Sequence, residues 1–195
     1  NIGAAANGVT ATGYQPRKFL ANGLNATSGQ QTYDFYTLRY AEVLLILAEA
    51  LYEKNGSISD EDLNNTINLL RVRAGVDNLT NALVIGHDLN MLTEIRRERT
   101  IELAYEGFRY DDLRRWKTAD SLLPLSLRGV QFAGTEFETE YPDIVAGDQI
   151  AVDGDGFIVA DPSNVRQFDS TKHYLQPLPT EEIQLNKAIE QNPNW

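Results

Sequence analysis

The chain has 195 residues, of which 42% are hydrophobic and 23% charged, and its 17 basic and 28 acidic residues give a net charge of −11. This length can bury the core of one domain, and the balance of apolar and charged residues argues against intrinsic disorder. The acidic surface would repel a polyanion on average, which argues against nucleic-acid binding. The chain contains no cysteine, so thiol nucleophiles, zinc–thiolate sites and disulfides are excluded.

The beginning of the chain shows neither a membrane span nor a targeting leader. The longest apolar run, Val43 to Ala48, is far shorter than the roughly 20 residues that cross a bilayer. Because the sequence begins at Asn1 without a basic-then-apolar segment, we interpret it as a fragment or processed product whose signal lies upstream. Residues 1–35 are rich in small and polar residues without a period, and they predict an irregular approach segment.

Helical periodicity begins at Leu38 and defines a helical core over residues 38–117. In the first predicted helix, Leu38 to Lys54, apolar side chains occupy most of the circumference, and only Glu42, Glu49 and Glu53 form a polar strip. A helix with so much apolar surface is expected to be covered from more than one side.

A second helix is predicted from Asp60 to Ala74. Ser59 is a suitable N-cap, and Gly75 is a suitable C-terminal stop. Because the linker to the first helix is short, the two are expected to pack as an antiparallel pair, a hairpin of the tetratricopeptide kind. The sequence shows no clean 34-residue repeat.

The third predicted helix, Leu89 to Glu106, begins a segment that is dense in charges of both signs. Gly107 is expected to break this helix before a short one from Tyr110 to Lys117. Residues 94–117 hold seven basic and six acidic side chains, and like charges this close require interleaved partners. We therefore predict a structural ion-pair network, formed by Glu94, Arg97, Glu98, Arg99, Glu102, Glu106, Arg109, Asp112 and Arg115.

Residues 122–176 are predicted to form a variable loop with a small β-hairpin. The segment from residue 130 to residue 169 contains nine acidic residues and only one basic residue, Arg166. The apolar triplets at 150–152 and 157–159 flank a tight turn, which is typical of a hairpin. The turn residues Asp153 and Asp155 suggest a calcium site, but their spacing does not match an EF-hand. We therefore predict no metal site, and the alternative left open is that Asp153 and Asp155 join ligands from elsewhere in the chain. In the last segment, 177–195, Thr180 is expected to cap a helix that reaches Ile189.

Several blocks of the sequence resemble the SusD/RagB family. The most specific runs from Glu98 to Trp116 and reads ERTIELAYEGFRYDDLRRW. Four others occur in the family's order: Gly13–Phe19, Leu38–Ala50, Ile67–Gly75 and the tail from Leu178 to Trp195. Together they span nearly the whole chain, whereas residues 122–168 match nothing in the family pattern.

The resemblance implies a mainly α fold, a SusD-like helical superhelix with tetratricopeptide-like hairpins, of which residues 1–195 would be the C-terminal part of a single domain. It also implies a lipoprotein of the outer-membrane cell surface in Bacteroidota, lipid-anchored outside this segment. Such proteins bind oligosaccharides, or peptides in some branches, and deliver them to a TonB-dependent, SusC-like transporter. No cofactor is implied.

Pairs of acidic residues and two histidines are the candidates for a catalytic site. Acid pairs such as Glu94 and Glu98 suggest a glycosidase, but each lies among arginines, which favour ionised, paired carboxylates. Neither His87 nor His173 has a metal-type or triad spacing. We therefore expect no catalytic residue and no enzymatic activity.

Aromatic side chains matter most for a glycan binder, because a sugar ring stacks on them. Phe132, Phe137 and Tyr141 lie in the acidic loop with no local apolar partners, and they are the candidate ligand-binding residues. The alternatives left open are a peptide-binding member of the family and a helical-repeat adaptor that binds only protein.

Overall fold

The computed structural model describes residues 10–14, 16, 18, 36–164 and 166–195. Most of the predicted approach segment 1–35 therefore lies outside the described residues. The described residues fall into two compact units, one within Phe19–Tyr110 and the other within Asn1–Lys18 and Asp111–Trp195. In both, helices make up most of the regular secondary structure, and a small two-stranded sheet lies in the second, as the predicted fold class requires.

In the described part of the first unit, all regular secondary structure is helical. Its elements are α1 (Tyr40–Asn55), α2 (Asp60–Asn64), α3 (Ile67–Ala74), α4 (Asn81–Gly86) and α5 (Met91–Glu102). Helix α1 packs against α3 and α5. Its inner face is closed to solvent, because Leu45 and Ala48 are 0% exposed and contact a core that includes Leu63, Ile67 and Ile95. The outer face of α1 is exposed, so within the described residues only one side of this helix is covered.

The second predicted helix is interrupted. Ser59 caps α2 by accepting a hydrogen bond from the Asp62 N–H, and Gly75 ends α3 in the left-handed conformation, both as predicted. Between α2 and α3, however, the Thr66 hydroxyl donates to the Asp62 carbonyl at 2.6 Å. That carbonyl would accept the Thr66 N–H in a continuous helix, so the side chain competes with the backbone and the helix breaks.

Helix α5 ends four residues before the predicted end at Glu106. After Glu102 the chain tightens into a turn, in which the Ala104 N–H donates to the Ile101 carbonyl and Tyr105 takes a positive φ of 65°. The glycine at position 107 is therefore not where the helix stops. The turn brings Glu106 beside Glu102, where both bind Arg39.

The second unit combines short helices with the sheet. Its elements are most of α6 (Arg109–Arg115), α7 (Ala119–Leu122), β1 (Arg128–Gln131), α8 (Glu136–Glu140), β2 (Phe157–Val159) and α9 (Thr180–Leu185). The N-cap of α9 is Pro179, and this helix ends well before the predicted Ile189. The segment 122–168, which showed no helical period, thus contains a helix and two strands.

The predicted hairpin forms, and its second arm has an additional partner. Val152 pairs antiparallel with Ile158, and the Asp153 N–H donates to the Phe157 carbonyl at 2.9 Å. Strand β2 also pairs antiparallel with β1, which the sequence analysis did not predict. On β1 the Val130 N–H donates to the Thr12 carbonyl at 2.8 Å, so residues near the start of the chain also contact this strand.

Candidate functional site

Arg39, immediately before α1, binds the carboxylates at the C-terminal end of α5. Its Nη1 donates to Glu102 Oε1 at 2.6 Å, and its Nη2 donates to the Glu102 carbonyl at 2.6 Å and to Glu106 Oε1 at 2.7 Å. Its Nε donates to Glu106 Oε2 at 2.8 Å. The Glu106 side chain is only 4% exposed. Arg39 and Glu106 thus form a bidentate ion pair, which fixes the relative orientation of the two side chains.

The electrostatics keep this cluster ionised. The hydrogen bond to Glu106, followed by the hydrogen bond and charge of Glu102, raises the pKa of Arg39 above its ordinary value although burial opposes this. Burial alone would raise the pKa of Glu102, but hydrogen bonds from Arg73 and Arg39 outweigh it, and the net pKa of this carboxyl is lowered. Glu102 therefore stays a carboxylate and has no proton to give to a substrate at neutral pH.

Other acids of the predicted network, and two on α1, also pair with arginines in the first unit. The pairs are Arg71 with Glu98, Arg73 with Glu102, Arg96 with Glu49 and Glu53, and Arg97 with Glu94. Several of these carboxylates are largely buried. The pairs of Arg71, Arg73 and Arg96 tie α5 to α3 and α1, and their geometry is that of a structural clamp between helices. The pair of Arg97 with Glu94 lies within α5.

Arg99 and Arg109 make contacts of a different kind. Arg99 is 5% exposed, and its guanidinium lies 5.4 Å from the centre of the Phe108 ring. Arg109 donates to the Thr100 hydroxyl at 2.8 Å. In the second unit Arg115 donates to Asp112 at 2.8 Å, and Asp112 is buried. The two units thus each hold part of the residue set that was predicted as one network.

Arg39, Arg71 and Arg73 were missing from the predicted set. They lie more than 20 residues before the acids that they bind, and a search for partners within one helix could not reach them. The sequence nevertheless indicated that these arginines matter, since all three lie in blocks that resemble the family, Leu38–Ala50 and Ile67–Gly75.

The three candidate ligand-binding aromatics occupy different environments in the second unit. Phe132 is 0% exposed and belongs to the core of this unit, where no sugar could stack on it. Phe137 lies on α8, and Tyr141 follows one helical turn later as its C-cap. Both are half-buried, and side chains four residues apart on a helix lie on one face. Of the three candidates, Phe137 and Tyr141 are therefore the two that retain some solvent exposure.

Asp153 and Asp155 bind an arginine from β1. Arg128 Nε lies 2.5 Å from Asp153 Oδ2, and its Nη2 donates to Asp155 Oδ2 at 2.6 Å. The pKa of Asp153 is lowered: desolvation opposes this shift, but backbone N–H donors and Arg128 outweigh it. Within the described part of the chain, no group of three or more histidines and acids is placed to hold a metal ion.

The two histidines belong to different units. His87 is exposed at the end of α4. His173 Nδ1 accepts the Asp169 N–H at 2.8 Å, and its ring lies 5.8 Å from that of Trp195. The Trp195 indole N–H donates to the carbonyls of Lys172 and Leu175, and the Lys172 ammonium lies 4.2 Å from the indole ring. The last residue is thus docked on the second unit.

Comparison with known proteins decides what kind of chain this is. The model of the SusD family matches residues 3–195, which is almost the entire sequence. The chain belongs to the SusD family.

Relatives within the SusD family share moderate sequence identity with this chain. "SusD-like protein P2" of Formosa agariphila is 35% identical over 108 residues, an alignment that covers 51% of this chain and 20% of that protein. Two crystal structures from Bacteroides fragilis are also similar. A "SusD-like carbohydrate binding protein" is 31% identical with a TM-score of 0.57, and a "SusD-like protein" is 27% identical with a TM-score of 0.53.

These SusD-like relatives are much longer than this chain. The match to the two crystal structures covers 78% and 81% of this chain but only 28% and 25% of theirs. The chain therefore spans about a quarter of the solved relatives and a fifth of the curated one. Among the described residues, no helix combines the length and apolar character that crossing a bilayer requires.

Proposed function

We propose that this chain is the C-terminal part of a cell-surface lipoprotein that binds oligosaccharides and delivers them to a TonB-dependent, SusC-like transporter without chemical conversion. The observation that carries the proposal is the match to the SusD family over residues 3–195. One solved relative at 31% identity is described as carbohydrate binding. The lipid anchor and the outer-membrane location belong to the same proposal, because they concern the whole protein.

The pairing of the acids supports a binding role over hydrolysis. A glycosidase needs one carboxyl that holds a proton and a second carboxylate facing it across an open cleft. In the family-like block Glu98–Trp116, the carboxylates of Glu98, Glu102 and Glu106 each pair with an arginine. The lowered pKa of Glu102 keeps this carboxyl ionised. Such carboxylates are suited to holding helices together.

The face formed by Phe137 and Tyr141 is the proposed contact for the ligand in this part of the protein. Aromatic rings bind the apolar face of a sugar, and nearby carboxylates and backbone groups can bond its hydroxyls. The segment 130–169 carries nine acids and one base, so this surface favours neutral over anionic glycans.

Calorimetric titration of the natural gene product with neutral oligosaccharides and with peptides of similar mass tests the proposal. We expect heat with an oligosaccharide, and a Phe137→Ala, Tyr141→Ala double variant that binds about tenfold more weakly, since each aromatic contact is worth about 0.5–1.5 kcal/mol. Tyr14→Ala is the matched control, because this tyrosine is 59% exposed and lies outside α8.

Other outcomes of these measurements would support a different function. Heat with peptides alone indicates the peptide-binding alternative. Tight binding to the transporter without heat from either ligand indicates an adaptor. The appearance of new reducing ends on prolonged incubation with polysaccharide would overturn the proposal, because a carrier breaks no bond.

A further inference from the structure

The terminal pair, Asn194 and Trp195, is held by backbone carbonyls of a preceding turn. The Asn194 side-chain amide donates to the Thr171 carbonyl at 2.9 Å. The Trp195 indole N–H donates to the carbonyls of Lys172 and Leu175 at 3.2 Å and 3.1 Å. None of these amide, indole and carbonyl groups titrates. The terminal pair therefore stays docked only while the turn keeps the shape that directs its carbonyls toward the two side chains.

The side chain of His173 closes this turn, residues 169–175. Its Nδ1 accepts the Asp169 N–H at 2.8 Å, and its own backbone N–H donates to the Asp169 carbonyl at 2.8 Å. Its ring lies 5.5 Å from that of Phe168 and 5.8 Å from that of Trp195. Because a backbone N–H can only donate, Nδ1 carries no proton, and the imidazole is the neutral tautomer with its proton on Nε2. One unprotonated nitrogen thus stabilises the turn on which the terminal pair is docked.

Histidine is the one side-chain type whose ordinary pKa places its charge change between pH 5 and 8. Charged groups also lie on the turn and on the elements that contact it through Tyr174, namely Asp169, Lys172, Arg114, Lys117 and Asp120. Hydrogen bonds from the Thr171 hydroxyl and N–H, followed by the charges of His173 and Lys172, lower the pKa of Asp169, so this group is a carboxylate throughout that range. Its attraction for a protonated His173 is opposed by the Lys172 ammonium, which already lies 4.2 Å from the centre of the Trp195 ring. The loss of the acceptor at Nδ1 therefore decides how the turn responds to acid.

We propose that His173 is a pH-dependent latch: its neutral imidazole holds the 169–175 turn closed with the terminal pair docked, and protonation of Nδ1 opens the turn and releases the pair. An imidazolium donates from both nitrogens, so the Asp169 N–H then faces another N–H. The stability that the latch supplies is present while His173 is neutral and is lost as the pH falls and the ring takes up a proton. The latch uses residues of the second unit alone and requires no ligand.

Hydrogen–deuterium exchange of the protein expressed from its natural gene, followed by mass spectrometry, tests the latch at pH 8 and pH 5. Exchange rates are divided by the intrinsic rate at each pH, and the peptide that covers α1, in the other unit, is the internal control. We expect protection of the 169–175 turn and of the terminal pair to be about two- to tenfold lower at pH 5, the factor that one hydrogen bond supplies. Protection of α1 should be unchanged.

Two substitutions of His173 separate its protonation from a general effect of acid. His173→Asn places a carbonyl oxygen near the position of Nδ1, and this oxygen accepts a hydrogen bond without titrating. Protection of the turn in this variant should no longer depend on pH. His173→Phe keeps a ring against Trp195 but has no acceptor, so protection should be at the acid level at both pH values. His87→Asn changes the exposed histidine of the other unit and is the matched control, which should keep the full pH dependence.

Equal protection of the turn at pH 8 and pH 5 in the unaltered protein would overturn the inference, and this result requires no variant to fold. A pH dependence that persists in His173→Asn would overturn it as well, because the titrating group would then lie elsewhere. The measurement contains no glycan and does not involve Phe137 or Tyr141, so the latch and the proposed function fail separately.

Discussion

Removal of Arg39 is the most informative perturbation of the first unit. The variant Arg39→Met keeps the aliphatic stem and deletes the guanidinium that donates to Glu102 and Glu106. The Glu106 side chain is 4% exposed, so its carboxylate is left buried without this partner. Breaking a buried ion pair from one side costs about 3–5 kcal/mol. Because the Arg39 side chain is itself 19% exposed, we expect the lower end, about 3 kcal/mol.

Urea denaturation followed by two signals measures this loss and assigns it to a unit. Most helical residues belong to the first unit, so far-UV circular dichroism reports mainly on it. Both tryptophans, Trp116 and Trp195, lie in the second, so fluorescence reports on that one. The variant should shift the circular dichroism transition to lower urea and leave the fluorescence transition nearly unchanged.

Two controls separate the buried pair from a general effect of charge. Arg73→Met removes an arginine that also binds Glu102 but is 57% exposed, and exposed pairs contribute at most about 1 kcal/mol. Adding Glu106→Gln to Arg39→Met neutralises the Glu106 carboxylate and should recover part of the loss. A cost for Arg39→Met below that for Arg73→Met, or no recovery in the double variant, would refute the argument.

Three further expectations follow from individual residues. The pKa of Glu102 is lowered from 4.5 in the folded chain. The contribution of Glu102 to stability is therefore complete above pH 4.5 and is lost as the pH falls through the pKa of the folded state. Glu102→Gln should reduce the loss of unfolding free energy at acidic pH, measured by urea titrations at a series of pH values. Leu45 is 0% exposed, and Leu45→Ala should cost about 2–5 kcal/mol of unfolding free energy by circular dichroism. A Cβ at Gly129 would lie 2.3 Å from the Thr12 carbonyl oxygen, so Gly129→Ala should speed hydrogen exchange at the Val130 amide, whereas Gly154→Ala, with open space around it, should not.

The sequence by itself determined the family, the predominance of helix and several local boundaries. Ser59 caps α2 and Gly75 ends α3 because capping depends on a few adjacent residues, which are visible in the sequence. The hairpin turn at 153–156 was predictable for the same reason. The early end of α5 was not, because the turn after Glu102 has no distinctive local signal and brings Glu106 to a distant arginine.

Only the tertiary structure decided which charges pair and which apolar residues are buried. The acids of α5 bind Arg39 and Arg71 across long sequence separations, and periodicity within one helix carries no information about a partner on another. Phe132 and Phe137 are both phenylalanines of the same acidic segment, yet one is fully buried and the other half-buried. Their difference arises from how the strands and α8 pack, since burial is a property of the assembled unit and side-chain type alone does not specify it.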